Sequence, residues 1–188
     1  MIRCFIAIDI GSQIIDQISA FQNALINTGA DVKLVGTENI HITLKFLGEI
    51  SPSLVGRIGI EFTNLCFDTF EVFVQGIGVF PDIERIHAVW MEIEKGFLNL
   101  IDIHNKVESM LKKLGIRPDN KGFSPHITIA RLRTAKNKDK LAEVVSNYSD
   151  KEFGTFHVDS EKFKKSILTP NGPVYTNIKE AKANNNLG

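Results

Sequence analysis

Hydrophobic and polar positions alternate along this chain in short blocks, and each block predicts an element. Residues 2–10 are short and rich in Ile and Phe, which predicts a buried strand. Ser12 is placed to cap the helix that follows, whose apolar stripe is Ile14, Ile18, Phe21 and Leu25, with Gly29 as the stop. Residues 32–35 predict a short strand, and residues 40–47 a longer one closed by Gly48. Ser51-Pro52 opens a second helix with the stripe Val55, Ile58, Phe62 and Leu65. Residues 70–74, extending toward Phe80, and residues 86–93 read as two strands joined through Pro81-Asp82.

A third helix over residues 97–114 carries Leu100, His104, Val107, Leu111 and Leu114 on one face and ends at Gly115. Beyond the loop 116–124 lie a strand from Pro125, a helix over 138–147, and strands over 152–158, 163–168 and 174–178. The pattern dissolves from Lys179, which predicts one two-lobed domain over 1–180 and a frayed tail over 181–188. Strands and helices mix without strict alternation, so the expected class is α+β with mostly antiparallel sheets and helices packed outside. The order helix, short strand, strand, helix recurs in both halves. Two lobes related by approximate internal symmetry of this kind would place their matching strands face to face across a common cleft.

Within that repeat lies a repeated tetrapeptide, His41-Ile42-Thr43-Leu44 and His126-Ile127-Thr128-Ile129. Side chains two apart on a strand share a face. Each copy therefore puts an imidazole and a hydroxyl on one face and two aliphatic side chains on the other. Phe46 extends the apolar face of the first copy. A single copy would mean little, since Thr suits strands. Two copies, each after a turn, bring two histidines and two hydroxyls toward one groove.

Composition narrows the chemistry. The 188 residues are 43% hydrophobic and 23% charged, ordinary for a folded protein, and 22 basic side chains balance 22 acidic ones. That balance excludes a protein that coats long nucleic acids, while the local run Arg131, Arg133, Lys136, Lys138 and Lys140 leaves room for a nucleotide end. Cys4 and Cys66 lie far apart in apolar stretches and read as buried free thiols of a reducing compartment. No charged-then-apolar signal segment opens the chain, and no apolar run reaches the about 20 residues that span a bilayer. A soluble cytoplasmic protein, and a monomer, is the expectation.

Three chemistries compete for the motif. The histidines could plug their strands and nothing more. They could hold a metal, but a catalytic zinc ordinarily takes a third protein ligand, and only Glu38 or Asp119 stands near. They could also work without metal on a phosphodiester. Imidazole titrates near neutrality, so one can act as base while the other holds a proton. In-line displacement at phosphorus needs both, on opposite sides, and the threonine hydroxyls can donate to the non-bridging oxygens. This third reading gives every motif residue a task.

These stretches carry a resemblance. Arg3-Cys4-Phe5-Ile6-Ala7-Ile8-Asp9, residues 39–48, Gly78-Val79-Phe80-Pro81, Val89-Trp90, residues 123–131 and Ser166-Ile167-Leu168-Thr169-Pro170-Asn171-Gly172-Pro173-Val174-Tyr175 together cover nearly the whole chain. In them it resembles the RNA 2′,3′-cyclic phosphodiesterases, also called 2′-5′ RNA ligases, of the two-histidine phosphoesterase superfamily. The resemblance implies hydrolysis of a 2′,3′-cyclic phosphate to a 2′-phosphate with no metal or other cofactor. The substrates would be RNA ends, tRNA fragments among them, or small cyclic nucleotides. It makes His41 the proton donor, His126 the proton acceptor, and Thr43 and Thr128 the phosphate-binding hydroxyls. The two tetrapeptides are alike, so these labels can be exchanged. Arg131 matches a substrate-contacting arginine, although strand parity turns it away from His126 unless a bulge intervenes. Leu34 departs from a tryptophan common in the family, which bears on base preference.

Two rivals remain: a non-catalytic RNA-end or nucleotide-binding module, and a metal-dependent phosphodiesterase. His104 reads as a core or boundary residue and His87 as a partly buried one. Phe80, Trp90, Phe123 and Tyr175 could stack on a base but read as core.

Overall fold

The computed structural model describes residues 1–118, 122–170 and 172–184. Nine strands form one sheet: β1 (Ile2–Asp9), β2 (Val32–Leu34), β3 (His41–Ile50), β4 (Phe70–Phe80), β5 (Ala88–Lys95), β6 (Ile127–Leu132), β7 (Glu152–Val158), β8 (Ser160–Thr169) and β9 (Gly172–Lys182). Their order is β7-β4-β5-β6-β3-β1-β8-β9, with β2 paired to β6, and every pairing between these strands is antiparallel. Counted outward from the centre, each half supplies four strands, and the innermost is the one that bears the tetrapeptide. The halves meet where Ile42 pairs with Ile127.

Four helices cover one face: α1 (Ile15–Asn27), α2 (Pro52–Phe62), α3 (Phe97–Lys113) and α4 (Lys138–Asn147). Helix α1 leaves the first-half strand β1 but packs on β2 and β6, while α3 leaves β5 and packs on β3 as well as β5. Each half thus lends a helix to the other. The core lies between this layer and the sheet, and Ile42, Leu44, Ile127 and Ile129 are buried in it. Among the described residues, no helix is long and apolar enough to cross a membrane.

Several local expectations hold for their stated reasons. The Ser51 hydroxyl accepts from Leu54 N at 3.2 Å with Pro52 in the first turn. Helix α3 ends as Gly115 takes φ +86°, a conformation that favours glycine, and Ile116 N then bonds Leu111 O at 3.0 Å. Other expectations need correction. Ser12 does not cap α1: residues Ser12–Ile14 form a 3-10 turn after Gly11, Ile14 N bonds Gly11 O, and no side chain caps the helix. Cys66 is exposed just past α2, and Phe67 takes the buried place beside it, so only Cys4 is a buried thiol. The strand pattern continues beyond Lys179. Strand β9 pairs with β8 as far as Lys182, Ala181 is buried, and Asn184 N still bonds Phe67 O at 2.8 Å. Residues 181 and 182 therefore belong to the sheet, Ala183 and Asn184 stay bonded to Asp159 and Phe67, and 185–188 lie outside the described residues.

Candidate active site

The pairing of Ile42 with Ile127 fixes the site. In an antiparallel pair, residues flanking the matched position face each other crosswise. That register sets His41 across from Thr128 and Thr43 across from His126, on the side away from the helices. Four polar side chains from two distant stretches of sequence thus share one patch of sheet.

Each motif then bulges at its fourth residue. In β3, Thr43 pairs with Ala7 and Lys45 with Ile6, so Leu44 is the extra residue. In β6, Thr128 pairs with Trp90 and Ala130 with Val89, so Ile129 is the extra residue. A one-residue bulge reverses which face the following side chains take. Lys45 and Ala130 turn to the helix side, where Lys45 Nζ meets Glu108 of α3 at 2.6 Å. Phe46 and Arg131 turn to the groove side. Phe46, expected on the apolar face, is 67% exposed. Arg131 reaches the groove face by the bulge it needed, shares that face with Lys33 through their pairing, and its charge acts on Tyr175. Leu34 pairs with Ala130 and packs on the core, so the departure from tryptophan falls on the helix side and not in the groove.

Both imidazoles are held alike. His41 Nδ1 lies 2.7 Å from Asn39 O, and His126 Nδ1 lies 2.8 Å from Ser124 O. A carbonyl only accepts, so Nδ1 carries the hydrogen in each ring and Nε2 is left to exchange a proton. Among the described residues, neither threonine hydroxyl is taken by a protein partner.

The surroundings differ. His41 is half-buried, with Phe5 at 5.0 Å and Tyr175 edge-on at 5.5 Å between ring centroids. Burial holds its pKa below the ordinary imidazole value. Lys164 and His126 act in the same direction, against Asp9 and the Asn39 carbonyl. His126 is exposed, with Trp90 edge-on at 5.5 Å. Gly78 pairs with Trp90, and a Cβ there would stand 2.4 Å from the indole, so the glycine makes room for the ring. Burial also raises the Tyr175 hydroxyl above its usual range. Beside His41 a cavity of about 200 Å³ is lined by Arg3, Phe5, Phe46, Leu168, Pro173 and Tyr175 among others.

Among the described residues, no three His, Cys, Asp or Glu side chains gather as metal ligands. Glu38 accepts from Asn39 Nδ2 at 2.9 Å, and Asp119 lies outside the described residues. His104 bonds Leu44 O at 2.9 Å and stacks on Phe123 at 4.1 Å, a boundary residue tying α3 to β3. His87 is exposed before β5 begins. The sequence reading missed Asp9 and Lys164, because only the strand order brings them to His41.

Comparison with known proteins agrees with this geometry. A sequence model of the family described as LigT like Phosphoesterase matches residues 8–90 and 94–175, one stretch in each half. A protein of Methanocaldococcus jannaschii named RNA 2′,3′-cyclic phosphodiesterase is 36% identical over 95% of this chain and 99% of its own. One of Aeropyrum pernix with the same name is 34% identical over 90% of this chain and 96% of its own. Among solved structures, a Thermus thermophilus protein superposes with TM-score 0.81 at 22% identity, covering 96% of this chain and 97% of its own. Escherichia coli LigT, complexed with 3′-AMP, gives 0.80 at 22% identity over 97% and 98%. These two share the fold. The chain belongs to the LigT-like phosphoesterases, the two-histidine class that the duplicated motif defines.

Proposed function

We propose that this protein hydrolyses the terminal 2′,3′-cyclic phosphate of RNA to a 2′-phosphomonoester by acid–base catalysis from its two histidines. The observation that carries the reading is the crosswise placement of His41-Thr43 and His126-Thr128, each ring pinned through Nδ1 with Nε2 available. Water attacks phosphorus as His126 accepts its proton, and the bond to the 3′ oxygen breaks as His41 delivers a proton to that oxygen. One proton is taken and one given, so the pair is reset by exchange. Thr43 and Thr128 donate to the non-bridging oxygens, and Arg131 contacts the substrate from the groove face.

The donor role requires His41 to be charged although its surroundings disfavour charge. The anionic phosphate supplies the compensation, because a nearby opposite charge favours imidazolium. Proton uptake by His41 thus accompanies substrate binding. With a 5′-hydroxyl in place of water as nucleophile, the same groups join RNA ends in a 2′-5′ linkage, the 3′ oxygen leaving as before. Small cyclic nucleotides fit the same chemistry, and no step calls for a metal or other cofactor. The unpaired cysteines suit a reducing cytoplasm. We take residues 1–180, together with the end of β9 to Lys182, as one two-lobed unit, its halves exchanging helices, that acts as a monomer.

The test is incubation with a short RNA ending in a 2′,3′-cyclic phosphate in EDTA, with the product isomer read by phosphorus NMR. A 2′-phosphate is expected. A 3′-phosphate would reverse the assignment of the leaving oxygen, and turnover only on added metal would replace the mechanism with metal-assisted hydrolysis. Binding of the RNA with no turnover would make the chain an RNA-end sensor.

A further inference from the structure

Strand β8 brings an ammonium group to the groove that the tetrapeptides do not account for. Lys164 pairs with Phe5 across the β1–β8 ladder, so it rises on the face of Phe5, whose ring packs on His41. Only 8% of Lys164 is exposed, and its Nζ stands 2.6 Å from Asp9 Oδ1. Asp9 is in turn the cross-strand partner of His41. The carboxylate is therefore cross-strand from the imidazole, and the ammonium reaches it from the neighbouring strand. Lysine is seldom buried unless paired, and here the ammonium is buried while the side chain of its carboxylate partner is 45% exposed. Such a pair in the catalytic groove calls for a role there.

We propose that the Asp9–Lys164 ion pair is the positioning and charge-setting element for His41, a role that rests on His41 acting as the acid. The groups facing that ring are Asp9 from β1, Lys164 from β8, His126 just before β6, the Tyr175 ring from β9 and the Asn39 carbonyl from the preceding turn. Lys164 and His126 oppose a charge on His41, while Asp9 and the carbonyl favour it. In the empty groove burial, the largest cause, and these opposing charges together hold the imidazole's pKa below its ordinary value. An incoming phosphate adds a second anion, which joins Asp9 in favouring imidazolium and offers Lys164 a second partner. The pair thus couples the arrival of a phosphate to the arming of the acid.

The two members act with opposite sign, which a purely structural role would not do. The measurement is the pH titration of the His41 ring by NMR in the free, full-length protein, assigned with H41A and with His104 as internal control. K164M removes the opposing charge and leaves Asp9 to face the ring, so the His41 midpoint rises by roughly half a pH unit or more, short of the 1–3 units of a charge in direct contact. D9N leaves the ammonium unopposed, and the midpoint falls. K164R keeps the charge and stays within a few tenths of a unit of wild type. Midpoints that do not move, or that move together in K164M and D9N, overturn the proposal. Should K164M fail to fold, D9N and K164R decide it by the same criteria. The His41-dependent limb of the kcat/KM profile shifts with the midpoint. Opposite NMR shifts in a protein that turns over no cyclic-phosphate RNA would overturn the phosphodiesterase reading and leave the pair's effect on His41 standing. Intact turnover with an unmoved His41 would overturn the pair's role alone.

Discussion

His41 and His126 each donate from Nδ1 to the carbonyl two residues back, and each is followed by a threonine and a bulge. Their neighbours do not match. Around His41 stand Phe5, Tyr175, Asp9 and Lys164, which bury the ring and load it with competing charges. Around His126 stand an exposed surface and the edge of Trp90. A duplicated backbone plan therefore yields two chemically distinct histidines, and the distinction comes from strands outside the repeat. Environment and not residue type is what sets the members of such a pair apart.

The sharpest way to break the comparison is to remove each ring. H41A and H126A are each expected to lower kcat by about 10²–10⁴-fold with the fold retained, as read by steady-state kinetics and far-UV circular dichroism. A loss at one position only would mean that a single histidine does the work. Next come the hydroxyls. T43V and T128V keep a β-branched side chain and delete one donor to the phosphate, and each should cost about 10²–10³-fold in kcat, the loss typical of one oxyanion donor. Equal losses would say that the two halves grip the phosphate alike, and unequal ones would extend the asymmetry from charge to binding.

A smaller effect tests the exposed half alone. G78A places a methyl group where the Trp90 indole lies. The displaced ring should loosen His126 and lower kcat/KM by less than about 10-fold, the cost of one positioning contact. The least effect on turnover is expected at Glu161, buried in β8 with its carboxyl pushed up to about 8 from the usual 4.5, chiefly by burial. The folded protein holds this proton where the unfolded chain releases it, so stability is fully present below pH 4.5 and is lost as pH rises toward 8. In urea unfolding, E161Q should remove that decline, on the order of 1.4 kcal/mol for each pH unit crossed, and leave kcat unchanged.

Much of this was legible in the sequence, because the patterns that reveal it are local. The period-2 alternation around His41 and His126 marks the motif strands, and Ser51-Pro52 and Gly115 mark helix ends through their own backbone chemistry. The bulges at Leu44 and Ile129 were not legible. An aliphatic fourth residue looks the same in a regular strand, so parity put Phe46 in the core and Arg131 away from the groove. Nor could local reading find Asp9 and Lys164, which meet His41 only because β1 lies between β3 and β8. The strand beyond Lys179 escaped notice because it is an outer strand whose polar residues face solvent on both sides of the buried Ala181.

The division of labour between the two halves is tested most directly by the pH dependence of the residual kcat/KM in H41A and H126A. With His126 gone, the surviving rate depends on a protonated His41, and should fall as pH rises through a midpoint below the usual 6.5. With His41 gone, the surviving rate depends on an unprotonated His126 and should climb as pH rises. The opposite pair of slopes would make His41 the base and His126 the acid, and profiles without slope in both variants would contradict two-histidine catalysis itself.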